Sequence, residues 1–464
     1  MKKPGVLILC FAVLCSAWPL LAEDEASTTF ERQSDRVLVV KTGKATFDKV
    51  IAIASEKGLV VIDTGLAPSL TRKYRHIIER EFGRDDFRYV INTHYHYDHT
   101  NGNQVFAEAD IIGHELSPAG MKAYWDGRQE RMAFEQERIN QWKSQLEALD
   151  PASDRAQQLR DIIYTYQIMV DDLRSEFKMT PYTITFSDRM TLDLGDITLN
   201  LVYFGPDRHT GDDILVHCPE EKLLCSGDLF FEGSMQLVYQ AQFDVPKWLE
   251  ALNEVLEDKS KVEYVLNTHG DGMSGDYLIL WRDYLNDLWK GLSQANEKGL
   301  DFAAVRDKFS YDGQFNYLER SGLDPQQLRR DHQNNLRYMW YGIRGLQSAA
   351  DALRQRIIDS GTESAIQQFR AMDPAKSDTY YFDEVELNRL GYRFIAENRI
   401  EEAIAVFKLN VAIFLDSWNV YDSLGEGYMI KGDRQSAIKY YQKSLELNPD
   451  NINGIQMLKR LEEK

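Results

Sequence analysis

Asn92-Thr93-His94-Tyr95-His96-Tyr97-Asp98-His99-Thr100-Asn101-Gly102-Asn103 is the stretch on which the reading of the fold turns. Four side chains able to bind a metal, His94, His96, Asp98 and His99, fall within six positions. The whole chain has only nine histidines, so three of them beside an aspartate are unlike a chance polar loop. They directly follow the apolar run Tyr89-Val90-Ile91, which reads as a buried strand, so the cluster sits at that strand's C-terminal end. Alternate residues of an extended chain point the same way, and His94 and His96 can therefore converge on one ion. Asp98 and His99, at the turn into the next helix, can face a second. Imidazole and carboxylate suit zinc, with iron or manganese as further candidates.

Outward from this loop, strands alternate with helices. Residues 37–40, 50–54 and 59–62 read as strands, the last running into Asp63-Thr64-Gly65. Tyr74, Ile77, Ile78 and Phe82 follow with helical spacing. After a short strand at residues 111–112 the rhythm breaks. Residues from about 117 to 178 read as two long charged helices joined at Asp150-Pro151, an inserted helical hairpin. It suits a packing or dimerisation arm, and also a lid. Strands resume at residues 182–186, 190–192, 197–202, 214–218 and 223–226, and a helix at 248–256 leads into a strand at 264–266. From about residue 277 to 361 the pattern is helical.

The last part repeats itself. Leu390-Gly391, Ala403 and Phe407 recur 34 residues later as Leu424-Gly425, Ala437 and Tyr441, and Asn448-Pro449 closes the second copy. That is the period of the tetratricopeptide repeat, in which small residues sit where paired helices cross and aromatics fill between them. Ala365 and Phe369 suggest a weaker earlier copy.

The loop 92–103 resembles the His-x-His-x-Asp-His signature of the metallo-β-lactamase superfamily. Further parts of that pattern follow in order: Val61-Ile62-Asp63-Thr64-Gly65, Gly205-Pro206-Asp207-Arg208-His209-Thr210-Gly211-Asp212, Leu224-Cys225-Ser226-Gly227-Asp228 and Asn267-Thr268-His269-Gly270. The resemblance spans about residues 35–275. It implies an α/β fold, the αββα metallo-β-lactamase sandwich, here with the helical-hairpin insertion and an all-α C-terminal repeat domain. It implies two zinc ions, the first held by His94, His96 and His209, the second by Asp98, His99 and His269, with Asp228 bridging. Asp98 is then also catalytic, orienting a metal-bridging hydroxide, and Asp63 supports a ligand from behind. Tyr97, His114 and Tyr239 are candidates for the pocket. The reaction implied is zinc-dependent hydrolysis of an ester, thioester, lactone or amide, with a β-lactam within range. An aspartate at 228, where broad-spectrum zinc β-lactamases often carry cysteine, shifts the expectation towards thioester and lactone hydrolases. The alternatives are an iron-dependent oxygenase on the same fold, which would not need Asp98, His99 and His269 together, and a non-enzymatic binding protein working through its repeats.

The 464 residues suit several domains. The expected organisation is a signal peptide at 1–22, a catalytic domain at 23–275 with the insertion at about 117–178, a helical extension at 276–361 and repeats at 362–464. Lys2 and Lys3, the apolar residues 6–13 and the acidic turn at Glu23-Asp24-Glu25 are the marks of export, to the periplasm or beyond. A net charge of -19 argues against nucleic acid as a partner. The partners expected are a small-molecule substrate, a protein through the repeats and a second copy of the chain through the hairpin. Cys218 and Cys225 remain after the leader, in a place where either a disulfide or two buried thiols would fit.

Overall fold

The computed structural model describes residues 28–43, 49–205, 209–231, 238, 243–257, 261–374 and 377–462. The leader at 1–22 and Tyr239 lie outside the described residues.

The first sheet has seven strands in chain order: β1 (Thr28–Arg32), β2 (Val37–Thr42), β3 (Lys49–Ser55), β4 (Gly58–Ile62), β5 (Phe87–Ile91), β6 (Asp110–His114) and β7 (Ile184–Phe186). Strands β1 to β4 pair antiparallel in chain order. From β4 to β7 the pairing is parallel, and parallel neighbours need crossover segments. Those segments carry α1 (Pro68–Phe82), α2 (Tyr97–Thr100), α3 (Ser117–Asp126), α4 (Arg128–Glu147) and α5 (Asp154–Ser175). The second sheet comprises β8 (Arg189–Asp193), β9 (Thr198–Tyr203), β10 (Ile214–Cys218), β11 (Leu223–Cys225), β12 (Tyr264–Leu266) and β13 (Met273–Ser274), in the order β13-β12-β11-β10-β9-β8. Helix α6 (Val245–Val255) buries Trp248 against Phe204 at the end of β9, the rings stacked at 5.4 Å.

Alternation along β2 and β3 divides the apolar residues between two cores. Val37, Val39, Ile51 and Ile53 face the second sheet and pack with Leu199, Leu201, Ile214, Val216, Cys225 and Leu266. Leu38, Val40, Val50 and Ala52 face the helices. A one-residue slip of either strand would exchange these sets, which fixes the register. Each such aliphatic side chain contributes about 1.5–3 kcal/mol on burial.

The inserted hairpin is part of the helix-side core rather than a detached arm. Met132 and Ile139 of α4 and Met169, Val170 and Leu173 of α5 are buried there with Leu70, Tyr74 and Ile78 of α1. Asp172 of α5 accepts from Ser69 N and Ser69 Oγ, both at 2.7 Å, which ties α5 to the first turn of α1.

The chain continues through α7 (Gly275–Glu297), α8 (Phe302–Lys308), α9 (Pro325–Ile343), β14 (Gln347–Ser348), α10 (Ala349–Ser360), α11 (Thr362–Arg370) and β15 (Tyr380–Tyr381). The two-residue strands β14 and β15 pair parallel with each other. Then come α12 (Glu384–Ala396), α13 (Ile400–Ile413), α14 (Trp418–Lys431), α15 (Arg434–Leu447) and α16 (Ile452–Glu462). The described parts of Met1–Leu237, Phe243–Lys290 and Lys308–Gln333 make one compact unit, and those of Val238–Gln242, Gly291–Asp307 and Asn334–Lys464 a second. In the second, the repeat markers Leu390, Ala403, Phe407, Leu424, Ala437 and Tyr441 share one core with Ala365 and Phe369, and with Ala349, Leu353 and Ile357 of α10. Gly391 shows why a small residue is needed: a Cβ there would stand 2.2 Å from the Phe407 ring. Among the described residues no helix is long and apolar enough to cross a membrane.

Candidate metal centre

Five segments at one edge of the sandwich build the site: Asp63 after β4, the 92–103 loop after β5, His209 between β9 and β10, Asp228 after β11 and His269 after β12. Each side chain thus hangs from the end of a strand packed in the core, where a rigid scaffold sets its position.

The loop after β5 is held from behind. Three donors converge on the His99 carbonyl: Thr64 N at 2.9 Å, Thr64 Oγ1 at 3.0 Å and Asn92 Nδ2 at 2.9 Å. Asn103 closes the network with Asn92 and Thr64. Gly102 presses against it, for a Cβ there would lie 2.1 Å from Thr64 O and 2.3 Å from Thr71 Oγ1. Gly102→Ala is therefore expected to cost about 1–3 kcal/mol of stability by overpacking and to displace His99. A lowered melting temperature of the metal-free protein, with weaker metal binding, is the expected result. An unchanged protein on both measures would contradict this packing.

All seven expected ligands come together. His94, His96, His209 and Asp228 form one group able to hold an ion, and Asp98, His99 and His269 another, with the ligand atoms of each group within 4.8 Å of one another. Asp228 stands between the groups: Oδ1 is 3.5 Å from His99 Nε2, and Oδ2 is 3.6 Å from His209 Nε2 and 3.3 Å from His269 Nε2. Asp98 Oδ2 is 3.0 Å from His269 Nε2 and 3.9 Å from His99 Nε2. Donors each about 2.1 Å from a tetrahedral zinc ion lie about 3.4 Å apart, so these separations suit atoms sharing an ion. His94 Nε2, His99 Nε2 and Asp228 Oδ1 are buried and make no hydrogen bond. Leaving such atoms unmatched costs roughly 1–3 kcal/mol each, and metal ions would meet that need.

Three of the ligand imidazoles have a partner at the ring nitrogen that faces away. His99 Nδ1 donates to Asp63 Oδ2 at 2.8 Å, and His209 Nδ1 donates to Asp213 Oδ1 at 3.0 Å. Thr93 Oγ1 gives its hydrogen to Asp63, so at 3.2 Å from His94 Nδ1 it accepts from that ring. In each case the outward Nδ1 keeps its hydrogen, so Nε2 is the nitrogen offered to a metal once any proton on it has left. Asp63 is 1% exposed and also takes Thr93 N at 2.8 Å and Thr268 Oγ1 at 2.8 Å. It adopts φ 56°, a left-handed conformation that asparagine and aspartate bear better than most residues.

Charge divides the histidines. Burial lowers His94 well below the usual imidazole value, and burial with His209 beside it lowers His96 to about 4. Both are neutral near pH 7, the form a metal binds. For His99 and His269 burial acts in the same direction, but carboxylates outweigh it. Asp63 and Asp228 raise His99 well above its usual value, and Asp228 and Asp98 raise His269 to about 10. Burial works against ionised Asp98, yet His99 and His269 bring it down to about 2. Binding an ion at the second group must therefore expel protons, and affinity there rises with pH through neutrality up to about 10. Calorimetry of zinc binding at pH 7 in buffers of differing ionisation enthalpy should show net proton release, with His99 and His269 giving up theirs to the Asp98–His99–His269 ion. Release of none would contradict these protonation states.

Two pocket candidates have rings packed against neighbouring elements. Tyr97 stacks on Tyr124 of α3, centroids 5.0 Å apart and planes 10° from parallel, with the Arg131 guanidinium 5.6 Å from its ring centre. His114 stacks on Tyr203 at 3.9 Å, and its Nε2 donates to Ser187 O. Among the other histidines, His332 is buried between Tyr284 Oη and Phe309 O, and His217 donates to Lys261 O. Cys218 and Cys225 are buried free thiols. Their strands pair Val216 with Cys225 and Cys218 with Leu223, so the two cysteines are diagonal. Residues that sequence reading passed over are Asp213, Thr93, Thr268 and Lys49. Asp213 alone had a signal, as an acid four positions after a histidine.

Residues 49–269 match the metallo-beta-lactamase superfamily, and residues 418–451 match the tetratricopeptide repeat. The 2,4-dinitroanisole O-demethylase subunit alpha of Nocardioides sp. (strain JS1661) is 26% identical over 214 residues, 46% of this chain and 49% of that relative. The chain thus spans about half the length of this curated relative. Among solved structures, a metallo-beta-lactamase from Pontibacter korlensis is 18% identical, with a TM-score of 0.37 over 56% of this chain and 99% of that one. The sec-alkylsulfatase Pisa1 from Pseudomonas sp. is 13% identical, with a TM-score of 0.44 over 91% of this chain and 66% of that one. The protein carries a metallo-beta-lactamase superfamily domain over residues 49–269 and, in the same chain, a tetratricopeptide repeat over residues 418–451.

Proposed function

We propose that the centre is the active site of a binuclear zinc hydrolase acting on an ester, thioester, lactone or amide. The observation that carries this reading is the position of Asp228, within 3.3–3.6 Å of histidines from both groups. His94, His96 and His209 would hold one ion, Asp98, His99 and His269 the other, and Asp228 both. Two ions held there would supply Lewis acidity, lowering the pKa of a shared water towards about 7 and polarising the bond to be cleaved.

The chain's own groups do the rest. Asp98, ionised above about pH 2, can accept a hydrogen bond from the attacking water and so aim its lone pair. Asp63, Asp213 and Thr93 keep the Nδ1 protons of three ligands in place. The relative named as an O-demethylase adds an aryl methyl ether to the substrates to be tried, and the repeats are proposed to receive a protein partner. Export is proposed as well, and N-terminal sequencing of exported material tests it, a retained Met1 in cytosolic protein being the contrary result.

The test of function is a panel of esters, thioesters, lactones, β-lactams, sulfate esters and aryl methyl ethers, offered to the zinc-loaded full-length protein. Turnover of an acyl substrate without oxygen consumption is expected. Iron-dependent oxygen uptake with no hydrolysis would instead establish the oxygenase alternative.

A further inference from the structure

Lys49 lies where a lysine is least expected. On β3 it follows the same alternation as Ile51 and Ile53, the residues that face the second sheet. Its side chain thus enters the space between the sheets, at the end of the sandwich from which the metal loops spring. It is only 4% exposed. Burial, with Lys41 beside it, lowers its pKa to about 8, so holding the ammonium there is costly. A residue that breaks the apolar pattern at such a price is expected where function demands it.

Its hydrogen bonds show what is gained. Lys49 Nζ donates to Asn267 Oδ1 at 3.3 Å and to the carbonyl of Gly270. These two residues bracket Thr268 and His269. Asn267 Nδ2 in turn donates to Phe230 O, two residues beyond Asp228, and to Asp271 O. On the other side of the same loop Thr268 Oγ1 donates to Asp63, and Thr268 N to Gly227 O. The segment 267–271 is therefore clamped between Asp63 and Lys49, and the clamp reaches the segment bearing Asp228.

We propose that Lys49 is a positioning residue for His269, its buried ammonium fixing the loop that presents this ligand to the second ion. The inference rests on the two-ion reading of the centre. Lys49 is assigned no part in proton transfer. It acts through the buried Asn267 side chain and the half-buried Gly270 carbonyl, both of which would otherwise lose this donor.

The test is a calorimetric zinc titration of metal-free full-length protein as wild type, Lys49→Met and Lys49→Arg. Methionine has nearly the length of lysine without donors, and arginine restores a cationic donor. In Lys49→Met the Asp98–His99–His269 ion is expected to bind about 10- to 100-fold more weakly, the loss usual for removal of an outer-shell partner. The His94–His96–His209 ion should bind as in wild type. Lys49→Arg should recover most of the lost affinity. Equal weakening of both ions, with a lowered melting temperature, would reduce Lys49 to a general structural role and overturn the proposal. So would wild-type affinity for both ions in Lys49→Met. Wild-type protein holding one ion at most would overturn the two-ion reading and this inference together. A selective loss in a protein that hydrolyses nothing in the panel would uphold the inference while the hydrolase reading fell.

Discussion

Asp228→Ala is expected to lower turnover of the substrate found by the panel by about 10³-fold or more, the scale on which preorganised electrostatic stabilisation acts in the transition state. Its carboxylate is the group placed among His99, His209 and His269. Burial alone would favour its protonated form, but His99 and His269 hold it well below the usual carboxylate value, so it is ionised at any pH of interest. Without it three imidazoles face one another around an uncompensated cavity, and neither group keeps its shared anion. The substrate's KM should move far less than kcat, because the lost interactions matter chiefly in the transition state. His76→Ala is the fitting control, since His76 is exposed on α1, whereas His332 is buried and hydrogen-bonded on both ring nitrogens. An Asp228→Ala protein that turns over substrate within a few-fold of wild type would exclude the bridging role.

Asp63→Asn should have the second largest effect, about 10²-fold in turnover, although Asp63 touches neither ion nor substrate. Asparagine keeps the shape and tolerates the left-handed backbone at this position. What it loses is an acceptor. If its amide group presents a donor to His99 Nδ1, the ring must shift its proton to Nε2, the atom that faces Asp228 at 3.5 Å, and a protonated nitrogen cannot ligate. Zinc affinity at the second group should then fall about 10- to 100-fold. The tautomer can be read from the nitrogen chemical shifts of His99 in the metal-free protein at a pH high enough to neutralise the ring. A wild-type tautomer in Asp63→Asn with normal metal binding would show that Asp63 serves packing alone.

Much of the centre was legible because it is written in short runs. His94, His96, Asp98 and His99 lie within one loop, and the strand before them is a plain apolar run, so local spacing carries both the fold and the chemistry. Likewise a 34-residue recurrence of a glycine against an aromatic becomes the contact of Gly391 with Phe407. What stayed hidden depends on residues far apart in sequence. Lys49 meets Asn267 across 218 positions and Thr268 meets Asp63 across 205. No periodicity announces such pairs. Tyr97 and His114 show the opposite difficulty: their chemistry invites a role in the pocket, but their rings are claimed by Tyr124 and Tyr203. The strands β1 and β13 escaped for a third reason. Short edge strands of mixed polarity carry too little apolar alternation to be read alone.

The reading of the whole centre stands on two ions held by seven side chains. Native mass spectrometry of the full-length protein, saturated with zinc and then freed of excess, measures this directly. Two zinc ions per chain is the predicted mass increment, and a chain that retains one ion or none under those conditions would contradict the account.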